Sequence, residues 1–292
     1  MEIASHAGGL SVNKTLLAAV AATAFCGAPA FAADMPVKAG PPAIFSWTGF
    51  YVGANGGYGW HDPTVTFSPN DIAGNVAVCL VPTPPCPLPA ASYSIHGGLG
   101  GLQAGYNWQL NQKLLLGFET DFDWSGVRGT GVSPAFFPEA VPANFLVSEK
   151  INSFGTVRGR LGFLPTDRLL AYATGGFAYG RLKENVGLTA AGGINVGAGA
   201  FNFTCITAGP NCFVGSSSRI ATGWAAGGGM EYAASGNISL RVEYLFVNLG
   251  KGNAINVVDQ QAPVVPASIT AVFNQTELHL IRAAVNYLFA TQ

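Results

Sequence analysis

The chain has 292 residues and a formal net charge of -1, and only 10% of its residues are charged although 49% are hydrophobic. Soluble domains carry roughly 25% charged residues, so this composition excludes an ordinary soluble surface. It also excludes a disordered chain, which would be less apolar and more charged. The charge balance indicates no nucleic-acid partner, and the length allows one large all-β domain or two smaller ones.

Residues 1–32 are predicted to be a cleaved signal peptide. Lys14 supplies the positive charge, an apolar run covers residues 16–25, and residues 30–32 read Ala-Phe-Ala, a small-residue cleavage site. The alternative is a membrane anchor, but a glycine and a proline interrupt the end of the run. The rest of the chain contains no apolar run of the length that a transmembrane helix needs.

Residues 33–46 are predicted to be a proline-rich periplasmic leader, and residues 47–292 a single barrel domain. The first predicted strand, residues 48–60, lies within a charge-free stretch with tryptophans at both ends and a glycine every few residues. Every second position from Phe50 to Trp60 is apolar or small, which is the period of a strand. Taken alone, the stretch also fits a glycine-rich loop or a strand of a soluble sandwich. Aromatic residues at both ends favour a membrane barrel, where they form two girdles around a lipid-facing band.

Seven further strands follow from the same period of two. The clearest is residues 113–126, where Leu114, Leu116 and Phe118 face one way and Glu119 and Asp121 the other. The other predicted strands are residues 95–109, 150–163, 168–182, 219–233, 237–249 and 273–289.

The connections between these strands alternate between two kinds. Short turns near residues 111, 166 and 235 alternate with four long loops at about 61–94, 127–148, 183–217 and 250–271. Short turns on one side and long loops on the other are typical of outer-membrane barrels. The sequence therefore predicts an all-β protein, an eight-stranded antiparallel transmembrane β-barrel with short periplasmic turns and four long extracellular loops.

Short stretches in nearly every predicted strand resemble the porin-like, OmpA-type outer-membrane β-barrel proteins of alphaproteobacteria. They include Trp-Thr-Gly-Phe-Tyr-Val-Gly at 47–53, Thr-Val-Arg-Gly-Arg-Leu-Gly at 156–162 and Arg-Ala-Ala-Val-Asn-Tyr-Leu-Phe at 282–289. Others lie at 172–180, at 223–224 with 231–232, and at 242–244 with 248–250.

The resemblance implies a location in the cell outer membrane. It also implies three partners: outer-membrane lipid, the barrel-assembly machinery, and host or surface ligands at the loops. Family members usually end on the aromatic residue that the assembly machinery is thought to recognise, whereas here Ala290, Thr291 and Gln292 follow Phe289.

The residues predicted to face the barrel interior include both acids and arginines on neighbouring strands. A narrow barrel has room for its own side chains or one small ligand, and buried charges must be paired. We favour a structural network over an ion path or gate, and over the catalytic carboxylates of a glycosidase. The nine residues are Glu119, Asp121, Asp123, Arg158, Arg160, Glu231, Arg241, Glu243 and Arg282.

These observations predict a surface or structural protein of the cell envelope, with its loops facing outside. The alternative is a small passive porin for ions or small solutes, as the family's porin label implies. We expect no enzymatic activity, no cofactor and no metal site. The four histidines, His6, His61, His96 and His279, show no metal-ligand spacing.

The four cysteines that remain after signal removal form two pairs with the same C-x6-C spacing. Cys79 and Cys86 lie in the first long loop, and Cys205 and Cys212 in the third. An even number of cysteines in an oxidising compartment favours disulfides. No histidine lies near either pair, which argues against a metal site. Local pairing is favoured, and cross-pairing between the loops stays open.

If the cysteines are bridged, the mature protein unfolded without a reductant will not react with a thiol reagent. After reduction, the same sample will show four reactive thiols. Four reactive thiols before reduction would contradict the prediction. Each short bridge is expected to contribute roughly 2–3 kcal/mol in the chain-entropy picture.

Overall fold

The computed structural model describes residues 45–71, 88–137, 141–190, 194–198, 201–205, 213–260 and 267–290. The predicted signal peptide and almost all of the predicted leader lie outside these residues. In the described part of the chain, no helix is long and apolar enough to cross a membrane.

The structure consists of antiparallel strands joined by turns and loops. All strands except β9 and β10 belong to one continuous sheet, and those two pair with each other. The strands are β1 (Gly49–His61), β2 (Thr64–Pro69), β3 (Ala91–Ser92), β4 (Ile95–Gln109), β5 (Leu114–Ser125), β6 (Arg128–Phe137), β7 (Val141–Thr166), β8 (Leu169–Ala190), β9 (Ile194–Ala198), β10 (Phe201–Cys205), β11 (Phe213–Ala233), β12 (Ile238–Asn248), β13 (Ala254–Asp259), β14 (Ser268–Phe273) and β15 (Glu277–Ala290).

Strand pairing closes the sheet into a ring. The pairings run β1–β4–β5–β7–β8–β11–β12–β15 and return to β1, where Gly49 lies opposite Ala290 and Trp60 opposite His279. A closed ring leaves no unpaired strand edge, which is the condition for a sheet to cross a lipid bilayer. The predicted antiparallel barrel is confirmed, and each predicted strand lies on a strand of this ring.

Alternate residues of the ring face outside and inside, as the period of two predicts. On β5, Leu116 is 43% exposed while its neighbour Leu115 is fully buried. The outward face carries a band of exposed aliphatic side chains, which is what contact with lipid requires. Aromatic residues flank the band at both ends, with Trp108 and Tyr287 near the short turns and Trp124 and Trp224 near the other end.

The four long connections contain more regular structure than the sequence predicts. Strands β2, β3, β6, β13 and β14 lie entirely or mainly within them, and the outer ends of β7, β8 and β11 extend into them. We name the aromatic residues at the end opposite the short turns, which include Trp124 and Trp224, the outer aromatic girdle. These strands continue the barrel wall beyond it through the pairings β11–β13–β14–β2–β3 and β6–β7. We name this part the outer tier.

The inside of the outer tier is filled with apolar side chains. Phe67 and Phe145 stack at its centre with ring centroids 4.0 Å apart. The cluster continues inward to Phe154 and Leu245 in the outer half of the ring. The sequence pattern missed these strands. The partner of β2 lies far away in the chain, since Asn70 and Thr270 are hydrogen-bonded although 200 residues separate them, whereas β6 and β13 pair with the strands that follow them.

Inward-facing glycines make room for large neighbouring side chains. A Cβ atom at Gly105 would lie 2.5 Å from the Tyr51 hydroxyl oxygen and 2.5 Å from the carbonyl oxygen of Phe118. At Gly57, a Cβ would lie 3.0 Å from the side chain of Arg282. At these two positions glycine therefore leaves room for a tyrosine and an arginine side chain in a narrow interior.

Substitution of Gly105 by alanine is expected to lower the free energy of unfolding by about 1–3 kcal/mol, because the added methyl group overpacks the interior. Gly56→Ala is the matched control, since a Cβ at Gly56 meets nothing closer than a carbonyl oxygen at 3.8 Å. Urea titration of both variants, folded in the same lipid vesicles, measures the difference. Equal stability of the two variants would contradict this account.

Candidate functional site in the barrel lumen

The middle of the lumen holds five carboxylates and four arginines in one network of ion pairs. All nine side chains are at most 3% exposed. They extend inward from β5, β7, β11, β12 and β15, because each occupies an inward position of its strand. These are the nine residues that the sequence singles out: Glu119, Asp121, Asp123, Arg158, Arg160, Glu231, Arg241, Glu243 and Arg282.

Arg158 lies at the centre of the network. Its guanidinium group donates to Glu119 at 2.7 Å and to Asp121 at 2.8 Å, both on the neighbouring strand β5. It also donates to Glu243 at 2.8 Å, on β12. Strands β7 and β12 are not neighbours in the ring, so this last pair crosses the lumen.

The other three arginines link the remaining carboxylates. Arg282 donates to Asp123 at 2.8 Å and also pairs with Glu243. Arg160 donates to Glu231 at 2.8 Å, and Arg241 connects Glu231 with Glu119. Each of the five carboxylates thus contacts at least one guanidinium group.

Neutral side chains add hydrogen bonds to the network, and the nine predicted residues did not include them. Thr156 donates to Asp121 at 2.7 Å, and Tyr172 donates to Glu243 at 3.1 Å. Tyr51 donates to Glu119 and accepts from Arg160 at 2.9 Å. Each of these residues occupies an inward position of its strand, so the period of two was the signal that could have found them.

Aromatic residues lie across the lumen at the end of the barrel that carries the short turns. The guanidinium carbon of Arg160 lies 4.0 Å from the centre of the Tyr172 ring, within range of a cation–π interaction. Trp47 is fully buried beneath this layer, and its indole donates to the carbonyl oxygen of Asp167 at 3.0 Å. Its backbone nitrogen donates to Gln109. Trp47 thereby extends across the end of the lumen that the short turns surround, from β4 to the turn between β7 and β8.

This arrangement favours rigidity over chemistry. Buried charges are stable in a barrel only when their partners and hydrogen bonds are in place, and removal of one partner leaves an uncompensated charge. A proton acceptor or nucleophile needs access to substrate, whereas these carboxylates are buried and held by arginines.

A second buried acidic pair lies in the outer tier. Glu149 on β7 is directly opposite Glu184 on β8, and both point inward. Tyr93 donates to Glu149 at 3.1 Å, and Arg219 lies 3.6 Å from Glu184. Burial raises the pKa of Glu149 to about 7, and repulsion from Glu184 adds to the effect. Burial also raises the pKa of Glu184.

The remaining predicted residues are not brought together into a site. His96 contacts the Tyr58 hydroxyl at 2.7 Å, and His279 contacts the Tyr244 hydroxyl at 2.8 Å, on the outward face. His61 is buried at the end of β1. Among the described residues no group of histidine, cysteine and acidic side chains has the arrangement of a metal site. His6, Cys79, Cys86 and Cys212 lie outside the described residues, as does the side chain of Cys205.

Comparison with known proteins identifies relatives over nearly the whole chain. The family profile described as "Outer membrane protein beta-barrel domain" matches residues 18–287. The 31 kDa outer-membrane immunogenic protein of Brucella melitensis biotype 1 is 33% identical over 286 residues, covering 95% of this chain and all of the relative. The 25 kDa outer-membrane immunogenic protein of Brucella abortus biovar 1 is 25% identical over 225 residues, covering 70% of this chain and 86% of the relative. Among solved structures, the outer membrane protein OprG from Pseudomonas aeruginosa aligns with 11% identity and a TM-score of 0.39, covering 82% of this chain and 97% of that one.

The outer tier is expected to lose stability as pH rises. Glu149 has its pKa raised from an ordinary value near 4.5 to about 7, so folding favours its protonated form. The stabilisation is complete below about pH 4.5 and is lost between there and about pH 7, by roughly 3 kcal/mol. Hydrogen exchange of the β7 amides near residues 143–151, corrected for intrinsic rates, measures this loss. Glu149→Gln should reduce the pH dependence to the part that Glu184 contributes, and the exposed control Asp62→Asn should retain it in full; equal slopes in both variants would contradict the assignment.

Proposed function

The chain belongs to the outer membrane protein beta-barrel family, and we propose that its barrel is a sealed anchor for the outer tier rather than a pore. The relatives and the fold make it a β-barrel surface protein of the cell outer membrane. The proposal adds two points: the lumen is sealed, and the outer tier is the part of the molecule that binds partners.

The observation that supports the proposal is that three successive clusters of buried side chains lie along the described lumen. At the inner end lies a cluster around Trp47, Tyr51 and Tyr172. The ion-pair network follows in the middle, and the apolar core of the outer tier lies above it. An ion entering from outside would have to cross the apolar core and then separate buried ion pairs, and both steps are costly in a medium of low dielectric constant.

A passive pore is the competing function, and it requires a continuous water-filled path. The central arginines make such a path unfavourable, because Arg158 joins β7 to β12 across the lumen. Narrow barrels of this kind are filled by their own side chains, whereas wider ones leave an aqueous channel.

We also infer that the chain is not an enzyme. Catalytic carboxylates must reach a substrate, but those of the network are buried and ion-paired. Glu149 and Glu184 are equally buried, and they lie inside the outer tier.

The barrel has three surfaces that can bind partners: the apolar band, the C-terminal strand β15 and the outer tier. We propose that the apolar band contacts outer-membrane lipid and that the C-terminal strand β15, with Phe289 exposed on its outward face, is recognised by the barrel-assembly machinery. The Brucella relatives are named as immunogenic proteins. We propose that in this chain, too, the outer tier is the part that antibodies and other surface ligands contact.

Single-channel recording in a planar bilayer tests the sealed lumen. The sample is the refolded mature protein, whose folding is verified by a shift in gel mobility on heating. We expect no discrete openings from the wild-type protein. Reproducible openings whose conductance changes in Arg158→Ala would refute the proposal.

The same variant separates a structural role from a conducting one. Arg158→Ala should lower the free energy of unfolding by about 3–5 kcal/mol, because three carboxylates lose their shared partner. Arg168→Ala, at an exposed turn position, is the matched control and should change it by less than about 0.5 kcal/mol. Urea titration in vesicles provides both values.

A further inference from the structure

The outward face of the barrel carries a row of positive charges just beyond the outer aromatic girdle. Arg128 on β6 is directly opposite Lys150 on β7, and Lys150 is directly opposite Lys183 on β8. All three side chains are exposed. We name these three residues the basic row. His96 on β4 extends it at one end, opposite Arg128.

The row lies close to the membrane surface. Trp124 is an exposed tryptophan of the outer girdle, and its partner across the sheet is Ser153, which in turn lies opposite Arg181. Lys183 is the next outward-facing residue of β8 beyond Arg181. Aromatic girdles lie at the level of the lipid headgroups, so the basic row is at the depth of those headgroups or slightly above it.

Among the residues that the structure describes, acidic side chains do not neutralise the row from the same face. Glu149 and Glu184 immediately adjoin Lys150 and Lys183 in sequence, but both carboxylates are buried inside the outer tier. Asp62 follows β1, which is two strands away from β6 along the sheet. Within the described part of the chain, none of the three basic residues forms an ion pair.

Three cations on adjacent strands repel one another. Like charges directly opposite each other on one face of a sheet are destabilising, and neighbouring strands are only about 4.8 Å apart. Two adjacent side chains of the row can therefore reach one anion together. Arginine and lysine are the residues that bind phosphate oxygens.

We propose that the basic row binds the phosphate groups of an anionic lipid of the outer leaflet. The row supplies the charge, and the apolar band below it contacts the acyl chains of the same molecule. The proposal rests on the outer-membrane location of the barrel and is independent of whether its lumen conducts.

Lipid retention tests the proposal with the full mature barrel. The protein is refolded in phosphatidylcholine nanodiscs that contain a small fraction of either diphosphoryl lipid A or the same lipid without its phosphates. It is then purified in a zwitterionic detergent, and the retained lipid is measured by mass spectrometry. Each basic residue near an anionic surface is expected to contribute about a fivefold factor, so the wild-type protein should retain the phosphorylated lipid about tenfold or more over the dephosphorylated one.

The variant Arg128→Gln/Lys150→Gln/Lys183→Gln should retain both lipids alike. The matched control Lys113→Gln/Arg168→Gln/Lys251→Gln removes the same charge elsewhere on the surface and should behave like the wild type. In zwitterionic detergent alone, the basic-row variant should unfold at the same or higher urea concentration than the wild type, because the repulsion is removed. That readout separates lost lipid binding from a damaged barrel.

Equal retention of the two lipids by the wild type, or a preference that survives in the basic-row variant, would overturn the proposal. Displacement of the phosphorylated lipid by free inorganic phosphate would also overturn it, since the row would then be a site for a soluble anion. Channel openings in the bilayer recordings would refute the sealed lumen and leave these outcomes unchanged, so the two proposals fail separately.

Discussion

The pairing of β1 with β15 is the constraint on which the rest of the molecule depends. These two strands come from opposite ends of the described chain, and their twelve paired positions run from Gly49–Ala290 to Trp60–His279. Closure satisfies the backbone groups that would otherwise face lipid unpaired. It also separates inside from outside, so that each strand has one face for lipid and one for a narrow interior. The interior charges can be buried only because this wall is complete.

The interior must hold many charged side chains in little space. Four arginines and five carboxylates occupy a lumen that is just wide enough for side chains. Glycines opposite the largest side chains provide the space, as Gly105 does for Tyr51 and Gly57 for Arg282. Removing one arginine leaves several buried carboxylates short of a partner, so the network favours a single arrangement of the strands. A lumen stabilised in this way is the basis of our proposal that the barrel is sealed.

The outer tier, like the ring, has one face inside and one face outside, but its outer face is in water. On β7, the buried Glu149 is followed by the exposed Lys150. On β8, the exposed Lys183 is followed by the buried Glu184. At these four positions the acids lie inside and the cations outside. Opposite charges that are neighbours in sequence thus have different surroundings: a buried acidic pair on one face of the sheet and the exposed basic row on the other.

The sequence by itself determined the strands of the ring, the inward or outward direction of the residues on most of them and the set of nine buried charges. All of these follow from a period of two, which is a local property of the chain. Only the tertiary structure decided which charges meet, because Arg158 and Glu243 are 85 residues apart and lie on strands that are not neighbours. The same reason applies to the hydrogen bond from Trp47 to Asp167 and to β2 in the outer tier, whose partner β14 is distant in sequence. The alignment of Arg128, Lys150 and Lys183 depends on the register between strands, which no single segment specifies.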